Sequence, residues 1–304
     1  MPIIKKQTPP PPPKAKAGSI LSRGKPLDQE TSDWVHMLLY GRNRVGKTTF
    51  MGMFPKPMLL ISLECVGTGG ARSIMNVPGI TKFTWGKELN SLEDIENLGH
   101  ELHEQDGYKS IGLDSGTSLD AIALAKVCGW NETTNMNRWG KVSQDQYTER
   151  SEVMRRVLRP YLEMPVNVIL TANEKDHNPQ EGKRNALVRS VYQESYFAAE
   201  MGGGTTRWCQ DESDFICQLY IEKETVTKSH EITLPGPKKE KEIVTEEVET
   251  GKFVRRLRMG YHPNFAAGPR STYNPTNPVP DYIEASDPKV MYEKFMKVVR
   301  GEKL

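Results

Sequence analysis

The chain has 304 residues, with 41 lysines and arginines against 39 aspartates and glutamates, for a formal net charge of +2. That balance excludes a polycation, so any nucleic-acid surface is a local patch, and the length allows one large or two modest domains with ample core. The four cysteines (Cys65, Cys128, Cys209, Cys217) lack zinc or C-x-x-C spacing, and neither a bilayer-length apolar run nor a leader pattern is seen, which predicts free thiols, a cytoplasmic location and no membrane partner.

Residues 1–30 read as a disordered tail. Pro9 to Pro13 is an unbroken proline run flanked by Lys5, Lys6, Lys14 and Lys16, which favours polyproline II with little buried surface. A tether and a recruiter of partners both fit that composition. Val35 to Tyr40 is an apolar run that predicts a strand, followed by Gly41-Arg42-Asn43-Arg44-Val45-Gly46-Lys47-Thr48-Thr49. This segment fits G-x-x-x-x-G-K-[ST], and Thr49 to Met53 supplies a short helix after it. Strand, glycine loop and helix in that order form a phosphate-binding loop, in which backbone N–H groups and the helix N-terminus face a triphosphate. Gly41 to Thr49 are therefore the expected nucleotide-binding residues, with Lys47 on the β- and γ-phosphates and Thr48 on Mg²⁺. ATP and Mg²⁺ are the expected cofactors.

Further strands are predicted at Pro57–Leu63, Ser110–Leu113 and Val166–Thr171, with helices at Leu92–His103, Ser118–Val127 and Gln144–Leu162. Apolar runs alternating with helical patterns predict an α/β fold with a mainly parallel central sheet over residues 31–222. Polar residues at the strand ends carry the remaining chemistry. Glu64 is placed either to activate water as a general base or as a solvated strand-end carboxylate. Asp114 either supports Mg²⁺ opposite Thr48 or caps the helix that follows. Ser115 rather than an acid comes next, which disfavours ring ATPases that place their catalytic glutamate there. Asn173, near Thr171 at the tip of the next strand, either senses a γ-phosphate or shapes a turn. Asn173-Glu174-Lys175-Asp176 is not the guanine-reading N-K-x-D, because glutamate stands where lysine is needed.

The texture then changes. Strands are predicted at Phe215–Val226, Glu231–Leu234, Lys241–Val248 and Phe253–Met259. A turn at Glu249-Thr250-Gly251-Lys252 is expected to join the last two, making a C-terminal β-hairpin extension over 223–262. A Pro/Gly/Asn-rich loop and a helix from Pro288 to Arg300 complete residues 263–304. Arg255, Arg256 and Arg258 on the hairpin suit DNA contact, a finger toward a neighbour's γ-phosphate, or pairs with Glu246 and Glu247. The long segment 175–211 mixes Lys175, Lys183, Arg184 and Arg189 with Tyr192, Tyr196, Phe197 and Trp208. Cations and aromatics together suit a single-strand groove, and a lid ordering over nucleotide is the other reading.

Taken together, Gly41–Thr49, the strand ending at Glu64, Asp114-Ser115 and Val168–Glu174 resemble the RecA-like ATPases of tailed bacteriophages. The likeness continues loosely through Asp214–Tyr220 and the arginine-rich hairpin to Gly268-Pro269-Arg270, and covers residues 33 to 285. That family includes single-strand-annealing recombinases of the Sak type. The resemblance implies a RecA-like P-loop NTPase acting on single-stranded DNA in phage recombination, annealing or replication. Lys183, Arg184, Arg189, Arg255 and Arg256 are then the candidate DNA contacts, with Arg258 a finger candidate from the hairpin and Arg270 one that the resemblance alone implies. Self-association into rings or filaments is implied too; the prolines of the tail make a single-strand-binding protein its candidate partner. The sequence departs from the family pattern at Asn173, where histidine is common, and in a Walker B strand made polar by Lys109, Ser110 and Gly112. Two other classes stay open: a nucleotide-gated binding module with little turnover, and a small-molecule or nucleotide kinase with 175–211 as its lid.

Overall fold

Near-continuous apolar runs such as Met58-Leu59-Leu60-Ile61 need cover on both faces, which a parallel sheet between two helical layers provides. The computed structural model describes residues 34–64, 70–105, 107–130, 142–177, 196–233, 241–269 and 278–304. The tail expected over 1–30 lies outside them. The strands are β1 (His36–Gly41), β2 (Met58–Ser62), β3 (Ile80–Thr84), β4 (Ser110–Asp114), β5 (Asn167–His177), β6 (Tyr196–Ala199), β7 (Phe215–Thr233), β8 (Lys241–Arg258), β9 (Gly268–Pro269) and β10 (Tyr282–Glu284). The helices are α1 (Lys47–Met51), α2 (Leu92–Glu104), α3 (Gly116–Val127), α4 (Gln144–Leu162), α5 (Gly203–Glu212) and α6 (Pro288–Val299).

The strands form one sheet in the order β10-β8-β7-β1-β5-β4-β2-β3. From β7 to β3 every neighbour is parallel, while β8 and β10 add antiparallel strands at one edge. The expected α/β fold with a mainly parallel central sheet is thus the fold adopted. β1 lies in its middle, pairing Leu38 with Leu170 of β5 and with Ile216 of β7.

One face of the sheet is covered by α2, α3 and α4, through Leu92, Ile95, Leu119, Ala123, Met154, Val157 and Leu158. Both α2 and α4 begin at capping boxes, Ser91 with Asp94 and Ser143 with Gln146, which fix their start points. The other face is covered by α1 and α6. Phe295 of α6 is fully buried there, with its ring centroid 5.3 Å from that of Phe215 and 6.2 Å from those of Phe50 and Phe54. Among the described residues, no helix is long and apolar enough to cross a membrane.

One expectation is overturned. Glu249-Thr250-Gly251-Lys252 is not a hairpin turn, because β8 runs unbroken from Lys241 to Arg258 against β7. The register steps from Lys223 opposite Phe253 to Thr225 opposite Glu249, so the extra residues form a bulge. Gly251, at φ 77°, supplies the left-handed conformation there. A glycine after polar residues signals a bulge as readily as a turn. The strands predicted at Phe215–Val226 and Glu231–Leu234 merge into β7, and the connection to β8 falls at 234–240, outside the described residues. β3, β6, β9, β10 and α5 were not predicted.

Replacing Phe295 by alanine should remove about 3–5 kcal/mol of unfolding free energy, as expected for a large aromatic in a packed core. Urea unfolding of the two proteins would check this, and a loss below about 1 kcal/mol would show that α6 is not a structural part of the α1 face.

Candidate functional site

The glycine loop sits at the C-terminal tip of β1. A methyl group at Gly41 would lie 2.2 Å from the Leu219 carbonyl oxygen, so the loop can start there only without a side chain. Gly46, at φ 102°, turns the chain into α1 in the left-handed region. The Lys47 ammonium is folded into the loop, donating to the carbonyls of Gly41 (2.8 Å) and Arg42 (3.0 Å) and to Asn173 Oδ1 (3.3 Å). Burial pulls its pKa down, opposed by the negative charges of Asp114, Glu64 and Glu174.

Thr48 and Asp114 meet directly. The Thr48 hydroxyl donates to Asp114 Oδ2 at 2.8 Å, and the Thr171 hydroxyl donates to Asp114 Oδ1 at 2.6 Å. Asp114 is only 3% exposed, so both carboxylate oxygens are held by side chains from α1 and β5. The cap of α3 is supplied instead by Ser115, whose hydroxyl accepts from the Ser118 N–H.

Glu64 joins this cluster from the end of β2. Its Oε2 accepts the Gly70 N–H at 2.7 Å. Burial raises its pKa; the Gly70 bond and Lys47 oppose that rise, while the Asp114 charge adds to it. Gly70 stands over the Thr48–Asp114 pair, since a methyl group there would lie 2.2 Å from Thr48 Oγ1 and 3.3 Å from Asp114 Oδ2. The cradle suits Mg²⁺, which takes oxygen ligands from one or two protein groups and retains waters. A buried ammonium whose protein partners are two loop carbonyls and an amide, beside loop N–H groups, likewise suits a triphosphate.

Asn173 is held twice. Its side chain takes the Lys47 bond, and its backbone N–H donates to the Thr117 hydroxyl at 2.9 Å. Next to it, Glu174 accepts from Gln218 Nε2 (2.6 Å) and from Arg42 of the loop (3.3 Å). Gln218 Oε1 in turn accepts from Arg258 Nε at 3.2 Å, and Arg258 stacks over Phe265 and Tyr220. The other hairpin arginines are also engaged within the chain. Arg256 pairs with Glu222 (2.5 Å) and Glu284 (2.8 Å) rather than with Glu246 or Glu247, which lie opposite Lys228 and Thr227. Arg255 Nε donates to the Val45 carbonyl of the phosphate loop at 3.2 Å. Lys183, Arg184, Arg189 and Arg270 lie outside the described residues.

A second concavity of about 830 Å³ opens beside this site, lined by α3, α4, Lys175 and the start of α5. Thr117, which holds Asn173, is part of its wall. Its floor is a buried ion pair, Arg150 Nη1 to Asp120 Oδ2 at 3.2 Å, with the same oxygen accepting from the Gly202 N–H at 3.1 Å. A methyl group on Gly202 would fall 1.5 Å from Arg150 Nη2, so any side chain there would displace the guanidinium from its place. Gly202 begins α5 without a side-chain cap, and the Asp120 Oδ1 and Arg150 Nε atoms are buried with no hydrogen-bond partner among the described residues. Burial raises the Asp120 pKa against the opposing charge of Arg150.

Thr117, Gly70 and the Arg150–Gly202 contact are missed by sequence reasoning. The glycine cluster Gly67, Gly69 and Gly70 after Glu64 was the available signal for the second of these.

The AAA domain family matches residues 34–259, which span the sheet except β9 and β10, both helical layers except α6, and every described site residue. The chain belongs to this AAA-domain family. It is accordingly an AAA-domain P-loop NTPase. Two solved structures with low overall similarity accompany the match. The flagellar accessory protein FlaH from Methanocaldococcus jannaschii aligns at 9% identity and a TM-score of 0.33, over 74% of this chain and 76% of its own. The RadB recombinase aligns at 12% identity and a TM-score of 0.35, over 74% and 79%. No curated protein matches the chain.

In this AAA-domain protein the Asp120–Arg150 pair lends itself to a test. Asp120→Ala should cost about 3–5 kcal/mol by stranding a buried guanidinium, whereas Asp120→Leu combined with Arg150→Met should recover most of that loss. Chemical denaturation measures both, and equal losses in the single and double variants would mean that charge pairing is not what the site depends on.

Proposed function

We propose that this chain is a Mg²⁺-dependent ATPase of the RecA-like type, acting on single-stranded DNA in recombination, annealing or replication. The observation that carries the reading is the double use of Thr117: its hydroxyl holds the backbone of Asn173, and its side belongs to the neighbouring concavity. One residue therefore touches both the nucleotide sensor and a second binding surface.

When bound, Mg·ATP supplies the electrophilic phosphoryl group and the metal charge that neutralises it. The chain supplies the rest. Gly41 to Thr49 bind phosphate, with Lys47 already desolvated and free to exchange two carbonyl partners for anionic ones. Thr48 and Asp114 hold the metal. Glu64 takes the proton of the attacking water, its carboxylate kept basic by burial and oriented by the Gly70 N–H. Asn173, touching Lys47 on one side and Thr117 on the other, is placed to pass the state of the γ-phosphate to α3.

The concavity is the proposed seat of a DNA strand. Gly203 and Gly204 at the uncapped start of α5 present backbone N–H groups for phosphate, with Lys175 and Arg155 nearby, and Tyr147, 41% exposed, offers a stacking surface. Lys183, Arg184 and Arg189, which follow β5 in the sequence and lie outside the described residues, stay DNA contacts proposed from the sequence alone. The phage setting, assembly into rings or filaments and a finger role for Arg270 rest on the sequence resemblance, and recruitment of a single-strand-binding protein rests on the proline run Pro9–Pro13.

The test is ATP hydrolysis with Mg²⁺, with and without single-stranded DNA. Wild-type turnover should rise with DNA, Lys47→Ala should abolish it, and Glu64→Gln should lower kcat by roughly 10²–10⁴-fold while leaving ATP trapped. Tyr147→Ala should raise the DNA concentration needed for half-maximal stimulation. Hydrolysis indifferent to DNA in the wild type would sink the DNA reading, and tight ATP binding without turnover would favour the gated module.

The pH profile provides a separate check. Glu64 works only when ionised, so the rate is present above its pKa and lost as pH falls through it. Because burial raises that pKa, the acid limb should lie above the ordinary glutamate range. A limb at an ordinary carboxylate pKa would argue against Glu64 as the base.

A further inference from the structure

The position of β1 sorts the two ends of a nucleotide. The groups gathered for phosphate and metal beyond the loop itself come from β2 (Glu64), β4 (Asp114) and β5 (Asn173), all on one side of β1. The other side of β1, toward β7 and β8, is the side left for the nucleoside end of a ligand whose phosphates occupy the loop.

There the two strands run on past the tip of β1. The last β1–β7 pair is Tyr40 with Gln218, whereas the β7–β8 ladder continues through Tyr220, Ile221, Glu222 and Lys223. Directly paired residues share a face, and faces alternate along each strand. Leu219 and Leu257 are paired and buried in the α1–α6 core. One step outward on that same face stands the pair Ile221 and Arg255, and one step further Lys223 and Phe253. Arg255 reaches the phosphate loop, with its Nε on the Val45 carbonyl and its Nη1 on the Ser286 carbonyl, both at 3.2 Å. A methyl group at Gly46 would lie 3.4 Å from that Nε. Beside this anchored cation, Ile221 is 42% exposed and Phe253 is 67% exposed, diagonal neighbours on one face.

We infer that Ile221 and Phe253 form the shelf on which the nucleobase of the bound nucleotide stacks, with Arg255 bracing the phosphate loop against that shelf. This rests on the proposed nucleotide site and names its nucleoside subsite. The occupant follows from covalent continuity: a base tethered through its ribose to phosphates at Gly46 and Lys47 lies within reach of this flank. A flat apolar surface beside a cation matches a π-face carried next to a phosphate chain. Lys223 is turned to Glu249 at 2.7 Å, which leaves the aromatic surface of Phe253 uncovered by that ion pair.

The experiment compares ATP with inorganic tripolyphosphate as ligands of the full chain, by titration calorimetry with Mg²⁺. Phe253→Ala should weaken ATP by about tenfold, the scale of one lost base–aromatic stack, and leave tripolyphosphate within about twofold of wild type. Arg255→Ala should weaken both ligands. Phe253→Trp, which keeps the stacking surface, should retain ATP affinity and change its emission on adding ATP but not tripolyphosphate. ATP affinity unchanged in Phe253→Ala, including the case in which DNA binding falls instead, would overturn the shelf, as would an equal emission response to both ligands. Failure of the wild type to bind either ligand would overturn the nucleotide reading itself, and with it the shelf.

Discussion

A single carboxylate ties the phosphate loop to the sheet. Asp114 sits at the end of β4 with one oxygen on the Thr48 hydroxyl and the other on that of Thr171, so α1, β4 and β5 meet at one buried group. A buried carboxylate is tolerable only with its acceptor sites filled, and here two hydroxyls fill them. The position of α1 therefore depends on a polar contact as much as on Phe50 and Met51 beneath it. An ion that draws on Thr48 and Asp114 acts on the same contact, so its arrival is felt by both neighbouring strands.

From that point the polar contacts branch. Lys47 leads to Asn173, Asn173 to Thr117, and Thr117 to the wall of the second concavity. Arg42 leads to Glu174, Gln218 and Arg258, and so to the stacked rings of Tyr220 and Phe265. These are contiguous chains of contact, which is a physical basis for coupling but does not by itself measure it.

Much of this was legible in the residues. The phosphate loop, the mainly parallel sheet and the long α4 followed from spacing and composition, because each has a local rule that the sequence obeys. The elements missed are those without such a rule. β3 is half-exposed and polar, β9 and β10 are two and three residues long, and α5 begins with two glycines after a glycine cap. At Glu249–Lys252 the local signal was real, but a partner strand twenty-odd residues away turned it into a bulge. Asp114 and Glu64 could be placed at strand ends from sequence alone. That Gly70 overhangs one and hydrogen-bonds the other could not, because five intervening residues do not fix where a loop returns.

The β7–β8 ribbon gives the phosphate loop a lever. From Tyr220 to Thr233 it extends about 40 Å beyond its seat in the sheet, at the usual rise per strand residue. Arg255 fastens it to the loop, close to the fulcrum where β10 also grips it at Arg256–Arg258. A tilt of a few degrees at that arginine becomes a swing of several ångströms at the far end. The geometry therefore converts a movement too small to rearrange the nucleotide site into one large enough for another molecule to feel.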